Sequence, residues 1–72
     1  MLKRFELKKD REGEGWALLN QGGDRIKAFA TKAEALMGGT LENIVGEGTV
    51  RIHREDGQME EERTFHPRRS PS

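Results

Sequence analysis

Residues 49–65 read Thr-Val-Arg-Ile-His-Arg-Glu-Asp-Gly-Gln-Met-Glu-Glu-Glu-Arg-Thr-Phe, and no other stretch constrains the architecture as tightly. Asp56-Gly57 is a type I′ turn signal between two β-prone runs, which predicts a hairpin of strands over 49–54 and 59–65. A two-residue turn pairs Glu55 with Gln58, His53 with Glu60 and Arg51 with Glu62. That register puts Val50, Ile52, Met59 and Phe65 on one side and sets Thr49 against Thr64. It also turns Glu61 and Arg63 inward, opposite Ile52 and Val50, so this face must be partly open or near an edge.

Upstream of the hairpin lies a helical signal. Thr31-Lys32-Ala33-Glu34 matches a capping box, in which a threonine hydroxyl and a glutamate carboxylate satisfy orphan backbone N–H groups. Ala33, Leu36, Met37, Leu41, Ile44 and Val45 recur at helical spacing. Gly38-Gly39 interrupts that stripe. The pair either sits on the helix's exposed side or ends it, with Thr40 capping a second short turn.

Three strands precede the helix. Arg4-Phe5-Glu6-Leu7-Lys8 alternates apolar and charged, Trp16–Asn20 forms the next strand, and Arg25–Ala30 alternates again. Residues 9–15 read as a loop, and Gln21-Gly22-Gly23-Asp24 as a turn. The expected fold is α+β: one antiparallel sheet in the order β-β-β-α-β-β, with one helix packed across it. Its inward residues are Phe5, Leu7, Trp16, Leu18, Ile26, Ala28, Leu36, Met37, Leu41, Ile44, Val50, Ile52 and Phe65. Residues 1–66 make the domain, and 67–72, with two prolines and two arginines, read as a flexible basic tail.

Composition narrows the function classes. Leu, Ile, Val and Phe number only 14 of the 72 residues, so the core is thin. Thirteen basic residues balance 13 acidic ones, which argues for a folded chain over a disordered one and against a general polyanion binder. The charge is uneven, with a basic front, an acidic middle and a basic end. There is no cysteine, hence no disulfide, thiolate metal site or thiol nucleophile. No apolar run reaches membrane-spanning length and the N-terminus lacks a signal-peptide pattern, so a cytoplasmic location is expected.

Gly15-Trp16, Thr31-Lys32-Ala33-Glu34-Ala35, Val50-Arg51-Ile52-His53, Asp56-Gly57 and Glu61-Glu62-Arg63-Thr64 together resemble the pattern of a small bacterial domain family of unknown function. The resemblance runs from about Phe5 to the tail. It implies a compact α+β domain from a bacterium or phage and brings no activity or catalytic residue with it. The long charged first loop and the Gly38-Gly39 pair depart from the pattern.

Chemistry-bearing residues are scattered. His53 and His66 lie on a strand and in the tail, and Glu60-Glu61-Glu62 alternate across a strand, so no metal or other cofactor is expected. Ser70 and Ser72 fall in the tail. His53 beside Glu60 reads as a cross-strand ion pair rather than a catalytic dyad. The glycine pairs lead into strands, whereas a phosphate loop leads into a helix. The expectation is a non-enzymatic domain.

Two binding readings follow from the face that the helix leaves bare. Arg4, Lys8, Leu19, Arg25, Lys27 and Phe29 are expected there, with Arg68 and Arg69 adding charge from the tail. Leu19 and Phe29 would form an apolar patch for a protein partner or a second copy. The alternative is single-stranded nucleic acid, stacked on the aromatic and held by the cations. A membrane partner is not expected.

Overall fold

A computed structural model describes residues 3–10, 13 and 15–66. The chain begins with three strands: β1 (Lys3–Lys9), β2 (Trp16–Leu19) and β3 (Arg25–Phe29). The chain then crosses the sheet through α1 (Lys32–Leu36) and α2 (Thr40–Val45) and ends in the hairpin of β4 (Gly48–His53) and β5 (Met59–Phe65). The five strands lie in the order β3-β2-β1-β4-β5.

The fold is α+β, but the sheet is mixed where an antiparallel one was expected. β1 and β4 are parallel neighbours, with Phe5 opposite Val50 and Leu7 opposite Ile52. The reason is directional. β1 and β3 run the same way, and the helical segment carries the chain back over the face. β4 therefore re-enters parallel to β1 and docks on its free edge.

Two short helices replace the single expected one. Thr31 caps α1 as the sequence suggested, its hydroxyl accepting from the Glu34 N–H at 3.1 Å. Met37 then turns extended (φ −58°, ψ 140°), and Gly39 opens α2 at φ +80°, a conformation glycine adopts without strain. Gly39, not Thr40, is the N-cap. The break turns the apolar stripe: Met37 and Ile44 end exposed, while Ala35 and Leu41 are buried.

Both hairpins use the same device. In the second, the Gly57 N–H donates to the Arg54 carbonyl and the Arg54 N–H to that of Gln58, which closes a three-residue loop with Gly57 at φ +94°. Asp56 does not have a positive φ, so the turn is not type I′. In the first, the Gly23 N–H donates to Asn20 and the Asn20 N–H to Asp24, with Gly23 at φ +89°. Each loop is one residue longer than a two-residue turn and shifts the register by one. Each shift is undone by one extra residue further along, Glu60 in β5 and Ile26 in β3. Arg51–Glu62, Val50–Arg63 and Thr49–Thr64 thus pair as expected, whereas His53 faces Met59 and not Glu60.

The bulge at Ile26 corrects the inward set. Beyond it Trp16 faces Phe29, so Phe29 joins the core at 5% exposure while Ala28 points away from it and is exposed. Leu7, Leu18, Val50 and Ile52 are fully buried, and Phe5, Trp16, Ala35 and Leu41 complete the cluster with Phe29. Leu36, Val45 and Phe65 pack against it. Residues 67–72, read as a tail, lie outside the described residues. Among the described residues no helix is long and apolar enough to cross a membrane.

Gly48 sits where β4 meets β1. A Cβ there would stand 2.7 Å from the Lys3 carbonyl oxygen and 3.0 Å from the Phe5 ring, at φ +156°. Gly38 has nothing within 4 Å and no such backbone. Gly48→Ala should therefore cost more than about 1 kcal/mol, and Gly38→Ala should be neutral or gain up to about 1 kcal/mol. Urea unfolding of the two variants checks both signs.

Candidate interaction surface

The expected surface divides between the two faces of the sheet. Arg4 and Lys8 alternate outward from β1, Leu19 lies opposite Glu6, and Arg25 lies opposite Leu19. These four share the face away from the helices. Lys27 is opposite Leu18 on the helix side, and Phe29 is in the core. Arg68 and Arg69 lie outside the described residues. The Leu19–Phe29 patch therefore does not exist, because the bulge puts the two residues on opposite faces.

Parallel pairing of β4 with β1 adds residues to the open face that the sequence reading did not place there. Thr49 lies opposite Arg4, and Arg51 opposite Glu6. Most cations on this face are already matched. Lys8 reaches Glu6 at 3.3 Å, Arg51 reaches Glu62 at 3.3 Å, and Arg25 reaches Asp10 at 2.8 Å. Phe5, Trp16 and Phe29 all belong to the core and Phe65 packs against it, so none offers a stacking ring here.

His53 is held between two acceptors. One ring nitrogen, Nε2, lies 3.0 Å from Glu6 Oε2, and the other, Nδ1, lies 3.2 Å from the Gly57 carbonyl. An ionised carboxylate and a carbonyl only accept, so both contacts are satisfied when both ring nitrogens carry protons. His53 thereby pins the second hairpin to β1. Partial burial pushes the Glu6 carboxyl up, but the hydrogen bonds and charges of Lys8 and His53 outweigh it and hold the carboxyl below its ordinary value. The expected partner, Glu60, is instead bound by Lys32, whose ammonium also lies 5.3 Å from the centre of the Trp16 ring. The Glu60 carboxyl is lowered by that lysine, and the Glu55 carboxyl by Lys9.

Two open depressions flank the sheet. One is polar and lies between the β1 end and the β4–β5 turn, where Lys9 pairs with Glu55 at 2.7 Å. The other lies on the helix side, between the β2–β3 turn and α2, where polar Asn20 and Gln21 share the lining with apolar side chains. Phe5, Ile26 and Ile44 line it, and Lys3 stands at its rim. Ile26 is 47% exposed and Ile44 36%. Ile26 is the extra residue of the bulge, which turns it beside Lys27 toward the helix side of an uncovered sheet edge. Sequence reasoning counted Ile26 and Ile44 as core. The signal that could have exposed them was Gly23 as the third loop residue, which marks a longer loop and a following shift.

The family model for DUF2188, an uncharacterized protein conserved in bacteria, matches residues 6–65. The chain belongs to the DUF2188 family. No curated protein and no solved structure matches it. The motifs on which the sequence reading based its resemblance serve the fold. Gly15 leaves room for the Phe29 carbonyl, 2.6 Å from where a Cβ would sit. Trp16, Ala35, Val50 and Ile52 are core, Thr31 caps α1, and the Asp56 carboxylate accepts from the Gln58 N–H at 3.0 Å. The depression on the helix side draws on none of them.

Two outcomes follow. Phe29→Ala should cost about 3–5 kcal/mol as a core truncation, against about 1 kcal/mol or less for half-exposed Leu19→Ala, measured by denaturant midpoint. A depressed carboxyl stabilises the fold above its unfolded value, 4.5 for Glu6, and that stability is lost as pH falls through the lower folded value. Glu6→Gln should flatten the loss of stability between about pH 5 and about pH 3, read from urea midpoints across that range.

Proposed function

We propose that this DUF2188 domain is a non-catalytic, cytoplasmic protein-binding module that takes its partner at the β3 edge and the depression between Ile26 and Ile44. The observation that carries this reading is the convergence of two exposed isoleucines above the Phe5 edge of the core, beside a strand that has one sheet neighbour among the described residues. A thin-cored domain gains most from keeping large aliphatic side chains inside. Leaving two on one depression marks a surface that a partner covers. The cysteine-free composition suits a reducing compartment.

Nucleic-acid binding would have to use the open face. Four cations, Arg4, Lys8, Arg25 and Arg51, do gather there, but three are held in ion pairs and no Phe or Trp ring accompanies them. Protein binding is therefore the better-supported reading.

The test is selection of binders from a random peptide library against the immobilised chain. Binders should lose affinity for Ile26→Asp and for Ile44→Asp, while circular dichroism shows both variants folded. Binders indifferent to both substitutions would overturn the reading. So would oligonucleotide binding by the wild-type chain that weakens steeply with salt and survives both substitutions.

A further inference from the structure

The two free edges of the sheet differ in charge and in how that charge is satisfied. β5 carries Glu60, Glu61 and Glu62, and each has its own cation: Lys32, Arg63 and Arg51. β3 carries Arg25 and Lys27. Arg25 is matched by Asp10, but Lys27 has no ion-pair partner among the described residues. Lys3, at the rim of the helix-side depression, has none either. The β3 edge strand thus carries exposed Ile26 and unmatched Lys27, and the depression beside it adds Ile44 of α2 and Lys3 of β1.

From this combination we infer that the partner at β3 is an acidic extended segment, which adds as a sixth strand and seats an aliphatic side chain between Ile26 and Ile44. The inference rests on the protein-binding reading above and names the chemistry of its partner. Strand addition supplies main-chain hydrogen bonds along Arg25–Phe29. Alternate side chains of an added strand point to the helix side, where the depression takes an apolar one and Lys27 meets a carboxylate. A second copy of this chain is a poor occupant. Antiparallel pairing of two β3 strands about their centre sets Lys27 against Lys27, and like charges directly opposite are destabilising. The acids of β5 are already neutralised within their own chain. An edge lysine that repels its own kind and admits acidic strands gives selectivity as well as protection against aggregation.

The experiment uses the full chain, the peptide Thr-Glu-Thr-Ile-Thr-Glu-Thr, whose Ile and both Glu share one face of a strand, and its counterpart with every Glu replaced by Lys. Affinity is read by calorimetry, and the site by amide chemical shifts and hydrogen exchange. The acidic peptide should bind and slow exchange along residues 25–29. Lys27→Glu, folded by circular dichroism, should weaken it by about tenfold and reverse the preference toward the lysine peptide. Equal binding of the lysine peptide at β3 would overturn the acidic-strand inference and leave the docking reading standing. Shifts confined to the open face, or no binding of either peptide, would also overturn it. The library selection, which imposes neither charge nor conformation, judges the docking reading separately.

Discussion

Ile26 is one residue too many for a regular pairing of β2 with β3, and the form of both faces depends on where that surplus goes. Gly23 closes a three-residue loop, which sets the first pairs one step out of phase, and the bulge at Ile26 restores the phase. As a result Trp16 meets Phe29 across the strands, and the largest aromatic pair falls inside. Sheet side chains repeat every two residues, so a single-residue slip exchanges faces. The same residue that brings Phe29 in is itself left at the rim, exposed beside Ile44. Burial of the aromatic core and exposure of the isoleucine depression are two consequences of one irregularity.

The second hairpin shows the device in polar form. There the surplus residue is Glu60, and it is taken up by Lys32 at the start of α1. Lys32 also stands near the Trp16 ring, so a cation from the helical layer ties β5 and β2 to the core. His53 does comparable work on the open face by bridging Glu6 and the hairpin turn. Lys32, Glu60, His53 and Glu6 thus hold strands in register.

Much of the fold was legible from local rules. Alternation and the Asp56-Gly57 turn signal located the strands, the Thr31 cap placed the helix start to the residue, and the pairing of Arg51 with Glu62 and of Thr49 with Thr64 came out correctly. That last success depended on two errors that cancel: the assumed two-residue turn was one residue short, and the bulge at Glu60 made up the difference. In the first hairpin no register was assumed, and the faces of β3 were read from its own alternation, which put Ile26 and Ala28 inward where the pairing puts Lys27 and Phe29. Parallel contact between β1 and β4 was illegible for another reason. It joins segments far apart in the chain, and no local periodicity records which free edge a returning strand will choose. The Gly38-Gly39 break was visible as a question, and its answer depended on the φ that Gly39 adopts. The candidate surface was the least legible part, since it consists of residues whose apolar character reads as core and whose exposure arises from tertiary geometry.

The register of β2 against β3 tests this account most directly. Cross-strand nuclear Overhauser contacts between backbone protons should connect Trp16 with Phe29 and Leu19 with Arg25, with Ile26 lacking a partner and the Phe29 ring contacting Leu18 and Trp16. Contacts connecting Trp16 with Ala28, together with a solvent-exposed Phe29 ring, would contradict it.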